Sequence, residues 1–529
     1  SLLYFLPVHN LTQNTYHASI QSAVTAANAS DVIECSEYTY NERVVIDKSL
    51  TLQGVDEANC VLDGTGLGSV GSGIAISNNV TNVTIQYLTV RNYASSSSND
   101  AGIAAQLSNN NLTVQHVTIH NNSGGRGGLY ANGPVSDVLF DDVTSYNHLS
   151  GARGIVIWNG FKQNITIQNC EVYNNNCCGI ELQDGTASGV TIQNNNVHDN
   201  WDNGLGITGL TSGAGANLIY QNTVEDNGRF GIEIKLPNGT GATSGDGSIL
   251  VDDNDVTITS SFVGQRPSEE RDIVGIAVFR RGFVVSENNA NIPTGVVVRN
   301  NTVSGYVQDN GSSTSEGFGI VAEGTNHDIT NNTVSGCDIG IQRQAGHTPY
   351  TANTNTDGDQ NDLADQYFGR GNAPVACSID VTGNTLTNAT DTRDVPASIA
   401  TQTGFVRNTT TGETFCTIQA AINDAQTLNT HTLEVSSGTF NEQVLINKSV
   451  KILGIGLTKP VINFTGTPGL LSGRLTLFEV VSPNVTIENL DFDVDLAKVH
   501  SAILASAADV DGLTVKNNDI NPYRTGALA

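Results

Sequence analysis

Apolar and polar residues alternate in short runs along this chain, and the runs recur. From Gly73 the sequence gives a Gly-Ile pair, a polar turn, an alternating stretch of the Val-Thr-Ile-Gln kind and an Asn-rich corner. The same phrase returns from Gly102, Gly128, Gly154 and Gly179, at steps of 29, 26, 26 and 25 residues. Self-similarity at such a period marks a solenoid, and alternation at period two marks strands. No stretch between the glycines carries a helical apolar stripe, so each unit is predicted to hold strands and turns only. Strands of successive units would pair about 4.8 Å apart, with inward apolar side chains merging into one core.

The Asn pairs (Asn121-Asn122, Asn174 to Asn176, Asn194 to Asn196, Asn300-Asn301, Asn331-Asn332) fall where a strand must turn a corner. Asn tolerates left-handed backbone, and its amide can bond the Asn one rung away. On this repeat the chain resembles the pectin-lyase-like superfamily over nearly its whole length. The resemblance implies an all-β fold, a right-handed parallel β-helix of about twelve rungs. It also implies the activities of that superfamily: secreted polysaccharide lyases, hydrolases and uronate epimerases, or phage and surface proteins that hold glycans.

A longer duplication overlies the rungs. Tyr40 to Gly54 returns as Phe440 to Gly454, and Ser19 to Val24 matches Thr417 to Ile422. Both segments resemble the opening of a β-helix, where a short amphipathic helix (Ile20 to Ala27; Ile418 to Ala425) covers the open edge of the first rung. The expected organisation is therefore a first β-helix over 1–400 and a second, partial one over 401–529, beginning near residue 413. Spacing stretches to 44 residues from Gly231 to Gly275 and again from Gly275 to Gly319. The excess is expected to leave the coil as loops at Pro237 to Gly247, Ser260 to Asp272 and Gln308 to Ser315. Another loop is expected at Gln344 to Ala376. Long loops on a rigid scaffold are where binding and catalysis concentrate.

Charge narrows the class. Lys and Arg number 24 against 52 Asp and Glu, a net charge of −28, yet only 14% of residues are charged. The negative field argues against nucleic acid and anionic membranes as partners. The opening Ser1 to Val8 is too short to span a bilayer, so membrane insertion is not expected. A secreted or cell-surface setting suits the composition. The eight cysteines form no Cys-x-x-Cys pair. Cys35 and Cys60, about one rung apart, could be bridged, and Cys177-Cys178 are adjacent.

Counting each Gly-Ile glycine as zero, positions two and four should point outward. Successive rungs then present Tyr130 and Asn132, Val156 and Trp158, Glu181 and Gln183, Gly206 and Thr208, and Glu233 and Lys235. Glu181 and Glu233 stand two rungs apart, roughly 9–10 Å by strand spacing. Rotamers could bring their carboxyls into the roughly 6.5–9.5 Å range of inverting glycoside hydrolysis, with Gly206 leaving room for a sugar. Asp184 and Asp202 flank the same rungs as further candidate catalytic groups. Tyr130, Trp158 and Trp201 would offer flat faces to sugar rings, and Arg229 and Lys235 would orient the substrate.

The favoured reading is a glycoside hydrolase acting on a polysaccharide or glycan. Uronate lysis or epimerisation is the rival, because seven of the 24 basic residues lie between Arg229 and Arg299. Neither the Asp-Pro-His of mannuronan epimerases nor the Gly-His-Gly of polygalacturonases occurs. A non-enzymatic adhesin or structural solenoid is the third reading. Asp357, Asp359 and Asn361 place oxygens at alternate positions, as a hard-cation loop would, and are the candidate ligands of a structural calcium. No other cofactor is required.

Overall fold

The computed structural model describes residues 6–213, 215–259, 272–279, 293–308, 316–344, 379–395, 404–411, 414–471, 475–507 and 510–525. Among these, two short helices interrupt an otherwise all-β chain. Twelve parallel strands, from Val44–Ile46 to Thr390–Val395, stack into one sheet, one strand per coil of a parallel β-helix. Ile103, Leu129, Ile155, Ile180, Leu205, Ile232, Ile276 and Ile320 lie in one column of this sheet, and all are buried in a single core that continues to Ile379.

The glycine ahead of each inward residue has a packing cause. A Cβ on Gly179 would stand 2.4 Å from Val197 Cγ1 and 2.7 Å from the Gly204 carbonyl oxygen. Glycine and the residue after it therefore both face the interior, and the alternation slips at that point. The residue before the glycine emerges on the outer face: Phe230, Val274 and Phe318 form a second apolar cluster with Ala277, Phe279 and Val321, separate from the main core.

The two members of each Asn pair divide the work of the corner. The first adopts left-handed backbone, with φ of 57° at Asn121, 53° at Asn174, 55° at Asn194 and 56° at both Asn300 and Asn331. The second turns inward into an amide ladder. Asn195 Nδ2 donates to Asn222 Oδ1 at 2.9 Å, and the chain of bonds runs on through Asn254, Asn301 and Asn332 at the same spacing. A parallel ladder links Asn175, Asn200 and Asn227. His148 occupies the rung above it, its Nδ1 accepting from the Asn122 amide and its own amide donating to Asn175 Oδ1. The ladders satisfy donors that a tight corner would otherwise bury unpaired.

A second β-helix starts at the antiparallel strand Val406–Asn408, slightly ahead of residue 413. Its rungs Thr439–Asn441, Val461–Asn463, Asp491–Asp495 and Asp519–Tyr523 pair in parallel around a hydrophobic core of its own. The caps repeat at atomic detail. Glu42 accepts the Ile20 and Gln21 amides at the start of helix Ile20–Ala26, and Glu442 accepts those of Ile418 and Gln419 at the start of Ile418–Asn423. Each helix also lends a glutamine side chain to the edge strand beneath it, Gln21 to Val45 and Gln419 to Leu445.

Of the expected loops, Pro237 to Gly247 is described. The other three, and with them Asp357, Asp359 and Asn361, lie wholly or largely outside the described residues. Cys35 and Cys60 are buried free thiols lying against one another, not a bridge, whereas Cys416 is disulfide-bonded.

Candidate functional site

The register carries the expected columns on the outer face. Tyr130, Val156, Glu181, Gly206, Glu233 and Ala277 follow one another down successive rungs, and Trp158 stacks on Gln183 as Thr208 does on Lys235. The expectation that this face is a solvent surface is not met. Glu181 is 3% exposed, Arg229 2%, and Tyr130, Glu233 and Lys235 not at all. Repeat counting gives the side a residue points to, but not what lies over that side.

The burial assembles a charged cluster. Glu181 is ion-paired with Arg153 Nε. Glu233 Oε2 accepts from Asn203 Nδ2 at 2.8 Å and lies 3.4 Å from Lys235 Nζ, which in turn donates to Gln183 Oε1 at 2.8 Å. Burial would lower the Arg153 pKa, but the Glu181 carboxylate outweighs it and holds the guanidinium charged. The two carboxylates converge on the glycine between them. A Cβ at Gly206 would stand 3.3 Å from Glu181 Oε1 and 3.5 Å from Glu233 Oε2. The gap is thus the size of one methyl group, and the expected room for a sugar ring is absent in this conformation. Asn203 Oδ1 and Thr208 Oγ1, both 2% exposed, have no hydrogen-bond partner among the described residues.

The remaining candidates are distributed around this cluster. Trp158 is half-buried under two guanidiniums, Arg126 at 3.6 Å and Arg153 at 4.9 Å from its ring centroid, so that ring is taken up by cations. Burial pushes the Tyr130 hydroxyl up, with Arg126 lying 5.8 Å from its ring. Trp201 alone of the three aromatic candidates is exposed, at 44%. Asp184 sits past the end of strand Ile180–Gln183 in left-handed backbone, φ 53°. Asp202 precedes strand Leu205–Thr208, at the opposite end, where its amide donates to the Cys177 carbonyl and its carbonyl accepts from Arg229. The two aspartates therefore do not meet across one site.

Sequence counting missed Arg153, Asn203 and Lys162. The first two precede the glycines Gly154 and Gly204, and the slip in alternation brings them to the outer face. Lys162 is fully buried, donates to the Asp184 carbonyl, and is brought down to about 8 by burial, which Asp184 partly offsets. A second aromatic feature went unnoticed: His120, Tyr146, Tyr173 and His198 stack ring on ring at 4.8–4.9 Å. The faces of Tyr146 and Tyr173 are covered by neighbouring rings, so only their edges are left for a ligand.

The family described as "Right handed beta helix region" matches residues 8–214 and 109–317, together more than half of the chain. The chain belongs to this β-helix family. Among solved structures, the β-helix is similar to the A-module of mannuronan C-5 epimerase AlgE6 from Azotobacter vinelandii. That match has 12% identity and a TM-score of 0.34, covering 95% of this chain and 94% of that one. A catalytic domain of GH87 alpha-1,3-glucanase in complex with nigerose matches at 13% identity and 0.39, over 94% and 67%. A PL6 family alginate lyase, AlyGC, matches at 12% and 0.26, over 94% and 74%. Similarity at this level transfers no activity. No curated protein matches the sequence. Among the described residues no helix is long and apolar enough to cross a membrane.

Proposed function

We propose that this β-helix processes a polysaccharide as a secreted or cell-surface glycoside hydrolase, with Glu181 and Glu233 as its carboxylate pair. One observation carries the reading: two buried carboxylates, each held by a cation, converge on a glycine from rungs two apart. Burying an ion costs several kcal/mol even when it is paired. Ala104, Val156, Ala277 and Val321 fill the same column without that cost, so the solenoid has no structural need of charge there. Buried charge retained at such a cost is a mark of functional sites.

Both carboxylate oxygens lie within 3.5 Å of one point. That holds them to the lower edge of the roughly 6.5–9.5 Å used for inversion and allows the roughly 5–5.5 Å used for retention. Arg153 pairs with Glu181 and Lys235 with Glu233, and the two carboxyls divide the acid and the nucleophile or base roles between them. Reaction requires the outer face to open, with Trp201 as the exposed platform and Arg229 and Lys235 as orienting cations. The rival uronate chemistry is favoured by one feature, the four cations Arg126, Arg153, Arg229 and Lys235 around the same rungs.

The test is a panel of neutral and uronic polysaccharides, following reducing ends and the ultraviolet absorbance of unsaturated uronates together. Hydrolysis gives reducing ends without absorbance, and Glu181→Gln and Glu233→Gln each lower kcat at least roughly 100-fold with the fold intact. Absorbance would transfer the proposal to a lyase. Silence across the panel would leave a binding or structural solenoid.

A further inference from the structure

Beside the carboxylate pair, where the chain enters the sheet, three further side chains meet. The Cys177 and Cys178 sulfurs are 2.7 Å apart. A carboxylate oxygen of Asp202 completes a set whose ligand atoms all lie within 4.8 Å of one another. The stacking of rungs causes the meeting, since the Asp202 amide donates to the Cys177 carbonyl at 2.6 Å and brings the aspartate alongside the thiol one rung back. Cys178 is buried, whereas Cys177 and Asp202 are half-buried, so the set is closed on one side and reachable on the other.

We propose that Cys177, Cys178 and Asp202 form a binding site for a thiophilic divalent cation of the zinc class. Two sulfurs and one carboxylate oxygen are a ligand set such cations favour, with a fourth, open position for water or substrate. At 2.7 Å the sulfurs are closer than two unbonded thiols sit comfortably. A cation bound at about 2.3 Å to each in tetrahedral geometry would separate them to roughly 3.7 Å. Binding exchanges the cation for the thiol protons, leaving two thiolates on the metal and no change in redox state. Arg153, within electrostatic reach of both sulfurs, offsets the extra negative charge that results.

The experiment uses the full chain, reduced and kept under inert gas, with cadmium or zinc as the only added cation. Expected are one cadmium per chain, the ultraviolet charge-transfer band of cadmium thiolates, and proton release on binding. Cys177→Ser and Cys178→Ser abolish the band, Asp202→Asn weakens cadmium binding roughly tenfold or more, and the control Cys170→Ser retains it. The proposal fails if the reduced protein takes up no metal. It fails equally if uptake survives both serine substitutions, or if the sulfurs prove to be joined as a disulfide that binds no metal once reduced. None of these outcomes depends on the protein being a hydrolase.

Discussion

Adjacent asparagines at one corner should respond very differently to the same substitution. Asn194 is exposed, holds φ at 55°, and is replaceable by Gly, which reaches left-handed backbone without strain. Asn195 is 2% exposed, and its side chain makes three bonds: it accepts the Cys170 amide at 3.0 Å and donates to the Ile167 carbonyl at 3.0 Å and to Asn222 Oδ1 at 2.9 Å. At roughly 1 kcal/mol net per bond, Asn195→Gly loses about 3 kcal/mol, plus part of the desolvation of the orphaned groups. Asn194→Gly should change stability by less than about 1 kcal/mol. Because a solenoid need not unfold as one unit, the assay is hydrogen exchange resolved by peptide. Amides between Ile165 and Asn200 should lose protection in Asn195→Gly and keep it in Asn194→Gly. Equal responses, or greater sensitivity at Asn194, would refute the division of labour between the two residues.

The buried histidines set an acid limit. Burial brings His148 down to about 3 and His327 to about 4, only partly offset by their backbone partners. Each is neutral when folded and binds its proton near 6.5 when unfolded. Their contribution is thus present above pH ~6.5 and lost as pH falls toward 3, up to roughly 5 kcal/mol for His148. His148→Asn, which restores the ladder residue, should flatten the pH dependence of exchange protection in the rungs around residue 148 over pH ~6.5 to ~3, and an unchanged profile would count against this. At the cap, Glu42→Ala removes the acceptor of two helix amides and should cost about 1–2 kcal/mol. The loss should be read as faster exchange confined to the first rungs, with the second coil unaffected.

The local pattern of the chain was enough to determine the β-helix. The Gly-Ile period, the alternating strands and the Asn corners each act between neighbouring rungs, so a repeat in sequence becomes a repeat in space. The duplicated cap was legible for the same reason: Glu42 and Glu442 act on helices about 20 residues away through an identical set of bonds. The candidate site was legible in part. Register correctly put Glu181, Gly206 and Glu233 in one column, because parallel pairing is fixed by the period. Counting failed at Arg153 and Asn203, where glycine breaks the alternation, and it could not foresee that Tyr130 and Lys235 are shielded from water. Whether an outward position meets solvent depends on residues far away in sequence, and no period encodes them. Only the tertiary structure decided that two carboxylates would close to a methyl's width, and that Cys177, Cys178 and Asp202 would meet across a rung.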